Sequence, residues 1–143
     1  MAGARVRVQY DDSQWQAALD ALARAGADLS RPLNEVGEYL VSETLERFKV
    51  GKGPDGTAWK AVQRGGVPLV DRGHLRDSIT YAQRPGEVMV GSGMVYAAIH
   101  HFGGKAGRGR RVSIDARPFL GVNSQDTAEI GQIFTDHLTE ALQ

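Results

Sequence analysis

Apolar residues recur at helical spacing in three stretches of this chain, and polar and apolar positions alternate in shorter runs between them. Trp15, Ala18, Leu19, Leu22 and Ala23 stand three or four apart, which predicts an amphipathic helix opened by a Ser13–Gln16 capping box and stopped at Gly26. Ser30-Arg31-Pro32 reads as a break. Beyond it, Leu33, Val36, Leu40, Val41, Leu45 and Phe48 mark a second, longer helix that the glycines from Gly51 to Gly56 cannot continue. Ile130, Ile133, Phe134, Leu138 and Leu142 form the stripe of a closing helix, with Ser124 as its cap and Asp126 and Glu129 near its positive end. These stripes read as core.

The rest has a shorter period. Arg5-Val6-Arg7-Val8-Gln9-Tyr10 alternates like a strand with one face buried. Val70 to Ile79 holds a short helix with Leu75 and Ile79 on one face. Thr80–Gln83 and Glu87–Val90 flank Arg84-Pro85-Gly86, which predicts a hairpin turned by the proline and glycine. Arg111-Val112-Ser113-Ile114 reads as another short strand. Of 18 glycines, 14 lie between Gly51 and Gly121, so this middle part is short strands joined by long glycine-rich loops. The expected fold is α+β: a small, mostly antiparallel sheet packed against two N-terminal helices and one C-terminal helix. Residues 1–143 read as a single domain, with mobile loops near 51–68 and 103–111.

Composition narrows the chemistry. Lysine plus arginine and aspartate plus glutamate number 17 each, so the molecule as a whole has no field to attract nucleic acid, and any basic surface is local. The absence of cysteine removes disulfides and thiolate metal sites and suits a cytoplasmic chain. No run is long enough to span a bilayer, and no signal-peptide stretch opens the sequence.

No motif reads as a reaction centre or cofactor site. Gly51-x-Gly53-x-x-Gly56 has the spacing of a dinucleotide fingerprint, but a helix precedes it where a strand is needed, and Thr57-Ala58-Trp59 shows no helical continuation. It reads instead as a loop anchored by Trp59. His74, His100, His101 and His137 do not converge on any zinc spacing, and the adjacent pair His100-His101 diverges on either a strand or a helix. One of that pair is expected on the core, the other hydrogen-bonded or facing a partner. No Gly-x-Ser-x-Gly elbow is present. The reading is therefore of a protein without enzyme activity, metal or cofactor.

Two segments invite contact with other chains. Lys105-Ala106-Gly107-Arg108-Gly109-Arg110-Arg111 carries four positive charges on a glycine-spaced loop. It reads as a solvated loop, as a segment that orders against an acidic neighbour, or as a phosphate contact in a nucleic-acid-binding module. Arg117-Pro118-Phe119-Leu120-Gly121 combines a fixed backbone with a large apolar anchor. It either pins the entry to the last helix or presents Arg117 and Phe119 to a partner. The candidate subunit or partner contacts are Trp59, His101, Phe102, Lys105, Arg108, Arg110, Arg111, Arg117 and Phe119.

Taken in order, several pieces resemble the phage virion morphogenesis family, the tail-completion proteins of Mu-like contractile-tailed phages. They are Glu46-Arg47-Phe48, Pro54-Asp55-Gly56-Thr57-Ala58-Trp59, Leu69 to Ile79, Val90-Gly91-Ser92, Tyr96-Ala97-x-Ile99-His100-x-Phe102-Gly103-Gly104 and Ala116-Arg117-Pro118-Phe119-Leu120-Gly121. The resemblance implies a structural virion component assembled in the host bacterial cytoplasm, placed at the end of the tail tube or in the neck. It further implies a closed homo-oligomeric ring, expected to be six-fold, that contacts the tail tube or sheath and the neck or connector proteins and supports head–tail joining. Such a ring could also meet packaged DNA.

Overall fold

The long helix α2, Ser30–Val50, is the element on which the rest is hung. The structure is a computed structural model that describes residues 13–61 and 73–143. Helix α1 (Ser13–Arg24) precedes α2, and a one-turn helix α3 (His74–Asp77) leads into the antiparallel hairpin of β1 (Ile79–Arg84) and β2 (Glu87–Ser92). Helix α4 (Ala97–Phe102), a second hairpin of β3 (Gly104–Ala106) and β4 (Val112–Ile114), and helix α5 (Ser124–Ala141) follow. The α+β class holds, with the β structure divided into two separate two-stranded sheets among the described residues. The expected strand at residues 5–10 lies outside the described residues, as do Val70 to Arg72 of the expected short helix.

Helix α2 serves two apolar clusters. Near its start, Leu33 and Val36 pack with Leu22 of α1 and Ile130, Ile133 and Phe134 of α5. Near its end, Phe48 packs with Trp59, Leu75, Ile79, Ala97, Phe119 and Leu120. The β1–β2 hairpin runs in register from Ile79↔Ser92 to Arg84↔Glu87 and turns at Pro85-Gly86, as its sequence predicts. It approaches α2 closely: a Cβ built at Gly37 would lie 2.3 Å from the Tyr81 ring, so the helix needs a residue without a side chain there. Gly51 ends α2 in the left-handed conformation, at φ 74°.

A buried ion pair links the two clusters. Arg47 Nη2 lies 2.7 Å from Asp126 Oδ2, with side chains only 7% and 1% exposed. A buried charge is tolerated when its hydrogen-bonding positions are filled. The same carboxylate accepts from the Tyr39 hydroxyl at 2.8 Å and from the Asn123 backbone N–H at 3.1 Å, and Arg47 Nη1 donates to the carbonyls of Phe119 and Gly121 at 3.1 Å each. Burial, followed by the Asp126 carboxylate, drives the Tyr39 hydroxyl pKa well above its usual value, which keeps this donor protonated.

Several local expectations are corrected. Asn123, not Ser124, caps α5: its side chain accepts from the Asp126 N–H while Asp126 returns a bond to the Asn123 N–H. Asp126 is therefore a buried member of the capping box, more than a charge near the helix dipole. Ser30-Arg31-Pro32 is no break but the first turn of α2, where proline's missing N–H would have no helical partner anyway. The Gln16 amide donates to Asp20 one turn on, at 3.0 Å, and the Ser13 side chain of the expected capping box lies outside the described ones. On the closing stripe Leu142 is 71% exposed.

Removing the Arg47 guanidinium strands Asp126 and two backbone carbonyls. Arg47→Ala is expected to cost about 3–5 kcal/mol of unfolding free energy, measured by urea denaturation.

Candidate interaction surface

Between β4 and α5 the chain runs from Asp115 to Asn123 without helix or strand, yet Arg117, Phe119 and Leu120 are buried. A buried segment outside regular structure must find partners for its backbone polar groups elsewhere, and here side chains supply most of them. The Arg117 N–H donates to the His100 carbonyl at 2.8 Å. The Pro118 carbonyl accepts from the Trp59 indole N–H at 2.8 Å. The Phe119 and Leu120 N–H groups both point at His101 Nδ1, at 3.3 and 3.4 Å. The Phe119 and Gly121 carbonyls accept from Arg47. Arg117 reaches back to the Lys60 carbonyl at 2.9 Å, and the Asn123 amide donates to the Pro54 carbonyl at 2.9 Å. This strap is held by donors and acceptors from α2, α4 and the loop after α2.

Aromatic packing follows the same path. Phe48 meets Trp59 edge-on at 5.6 Å between ring centres and Phe119 at 5.4 Å. Phe119 meets His101 at 5.2 Å, and His101 meets Phe102 at 4.6 Å. Each such pair adds roughly 0.5–1.5 kcal/mol beyond its buried area. The series ends at the surface, because Phe102 is 65% exposed. At Gly103, φ is 75° and a Cβ would sit 2.8 Å from the Ala116 nitrogen, so only glycine lets α4 turn directly into β3 against the strap.

The candidate contacts thus divide. Trp59, His101, Arg117 and Phe119 are buried in the chain and clamp or form the strap. For Phe119 and Arg117 this is the pinned-junction reading of their motif. Phe102, Lys105, Arg108, Arg110 and Arg111 remain on the surface. The adjacent histidines separate as expected in one respect: His101 is on the core, while His100 is half-buried with its ring edge-on to Tyr96 at 5.6 Å. The segment expected as a loop at 103–111 is a paired hairpin, Gly104↔Ile114 to Ala106↔Val112, with a tight turn at its tip. In the loop after α2, residues 51–61 are held by a Lys52↔Ala58 bridge and by Trp59. Residues 62–68 of that loop lie outside the described residues.

Phe102 at the end of α4 and Val112 next to Arg111 in the hairpin are both exposed. A second charged area lies on α2 and α5, and sequence reasoning missed it. Glu46 and Glu129 are exposed, and Glu43 is half-buried beside them. Burial raises the Glu43 carboxyl pKa, and the negative charges of Asp126, Glu46 and Glu129 add to the rise while Arg47 opposes it. Spacing on α2 alone would have placed Glu43 and Glu46 on one face; the contribution of Glu129 needs the packing of α5. Among the described residues no group of three or more His, Cys, Asp or Glu is arranged to hold a metal ion, and no helix is long and apolar enough to cross a membrane.

The chain matches the model of the phage virion morphogenesis family over residues 10–139. It is similar to the "Mu-like prophage FluMu G protein 2" of Haemophilus influenzae, with 44% identity over 121 residues, covering 84% of this chain and 86% of that protein. It is also similar to the "Putative capsid assembly protein G" of Escherichia phage Mu, with 30% identity over 152 aligned positions, covering 96% of this chain and 97% of that one. No solved structure matches it.

Burial depresses the His101 pKa below the ordinary imidazole value of 6.5. Above that value the ring is neutral in both states, and its contribution is complete. Below it the unfolded chain takes up a proton that the folded chain resists, so stability falls as pH drops towards the lower folded value. His101→Gln, whose amide oxygen can still accept from the strap, is expected to flatten the loss of unfolding free energy between about pH 6.5 and pH 5.

Proposed function

The chain belongs to the phage virion morphogenesis family, and on that premise we propose that it completes the tail of a Mu-like contractile-tailed phage, forming a ring at the head-proximal end and supporting head–tail joining. It acts as a structural virion component and not as an enzyme. Its partners in this reading are further copies of itself, in a ring of six, together with the tail tube or sheath and the neck or connector proteins. Packaged DNA passing through the ring is a further contact.

The observation that carries this reading is the way the family-like motifs are used. Trp59, His101, Arg117 and Phe119 are spent on holding the strap inside the chain. What the frame presents outward is Phe102 and a basic hairpin. Exposed aromatic and arginine side chains on a rigid support suit a protein whose work is contact with other chains. The name of the phage Mu relative favours a second reading, a role on the head side of the neck. The arginines, which form no ion pair with another described residue, keep a third, a nucleic-acid-binding module built on residues 105–111.

Electron microscopy of a lysate lacking this gene separates the readings. Tail completion predicts full heads beside unjoined tails of irregular length, whereas a head-side role predicts malformed or missing heads. Joined particles of normal appearance would contradict both. A DNA-binding module predicts instead that purified protein binds duplex DNA with an affinity that falls steeply with salt.

A further inference from the structure

The β3–β4 hairpin carries Lys105, Arg108, Arg110 and Arg111, all exposed, and none of these side chains forms an ion pair with another described residue. Arg110 holds a left-handed backbone, φ 54°, in the tight turn between Gly107 and Arg111. Val112, 53% exposed on β4, and Phe102, at the end of α4, add apolar surface to the same arm. On α2 and α5, Glu43, Glu46 and Glu129 form the opposite charge, and none of them forms an ion pair with another described residue either. Arg47, the cation whose charge acts on Glu43, is already committed to Asp126. Exposed Val50 lies on the same face of α2, four residues beyond Glu46 and seven beyond Glu43, and Lys49 is on the neighbouring row.

We propose that the basic hairpin of one copy docks on the acidic α2–α5 face of a second copy, so that the chain assembles head to tail through two different surfaces. The inference rests on the ring reading above and assigns its faces. Within one copy the two charged areas form no ion pair with each other, and their signs are opposite, so each copy offers a complement to its neighbour's exposed charge. An interface between unlike patches repeats from copy to copy and closes into a ring when its rotation allows. Exposed charge pairs contribute little energy individually, so Phe102 and Val112 supply contact area while the charges select the partner and fix the register.

The test is a charge swap read by light scattering and sedimentation. R108E/R110E/R111E and E46K/E129K are each expected to raise the concentration for half-assembly at least about tenfold, with unchanged circular dichroism and melting. An equimolar mixture of the two is expected to assemble again, because each supplies the partner the other needs. Assembly of the wild type should weaken as salt rises. If the wild type assembles and both variants assemble as well as it does, or if the mixture of folded variants fails to recover, this interface is overturned while the ring stands. A wild type that is monomeric at every concentration overturns the ring and this interface together. Loss of DNA binding in the arginine variant, with assembly intact, overturns the proposal in favour of phosphate contact.

Discussion

The Asp126 carboxylate is the group around which this chain is arranged. It is fully buried, and an ion in that position is stable only where donors replace the water it has lost. Arg47 and Tyr39 come from α2, and the Asn123 N–H comes from the cap residue that precedes α5. The guanidinium that neutralises Asp126 also carries two carbonyls of the strap. The cap of α5, the path of the strap and the junction between the two apolar clusters therefore form one network. Disturbing any member leaves buried polar groups of the others without partners, which makes the arrangement cooperative.

That network explains why the most unusual residues of the chain are inside it. A segment with no ladder of its own can be buried only if side chains take over its backbone hydrogen bonds. The indole of Trp59, the imidazole of His101 and the guanidinium of Arg47 do so, while the Phe119 ring fills the space beneath them. The strap in turn fixes Gly103, and through it the position at which the β3–β4 hairpin leaves the body. Most family-like motifs here specify a frame, and the chemistry proposed to face partners lies on the short elements that the frame holds out. An assembly protein can vary such an arm without disturbing its core.

Much of the architecture was legible in the sequence because it follows from local periodicity and turn chemistry. The stripes of α1, α2 and α5 and the Pro85-Gly86 turn are of this kind. Other features depended on choices that local rules leave open. Asn123 and Ser124 are both good caps, and Asn123 prevails because Asp126 then stands at the third helical position to close the box. The glycine and charge content of residues 103–111 hid a hairpin that starts from Gly103, tight against Ala116 of the strap. Trp59, Arg117 and Phe119 have the composition of a surface anchor and of a core latch alike, and only the fold separates the two. The pairing of Arg47 with Asp126, 79 residues apart, has no local signature at all.

Each chain closes its frame within itself and, in the proposed assembly, holds out an arm that another copy completes. Amide hydrogen exchange on the free and the assembled protein tests it directly. The Phe119 and Leu120 amides are expected to be protected to the level of global unfolding in both forms, while the amides of residues 104–114 exchange quickly in the free chain and slow on assembly. Rapid exchange at Phe119 and Leu120, or exchange in the hairpin that assembly leaves unchanged, would contradict it.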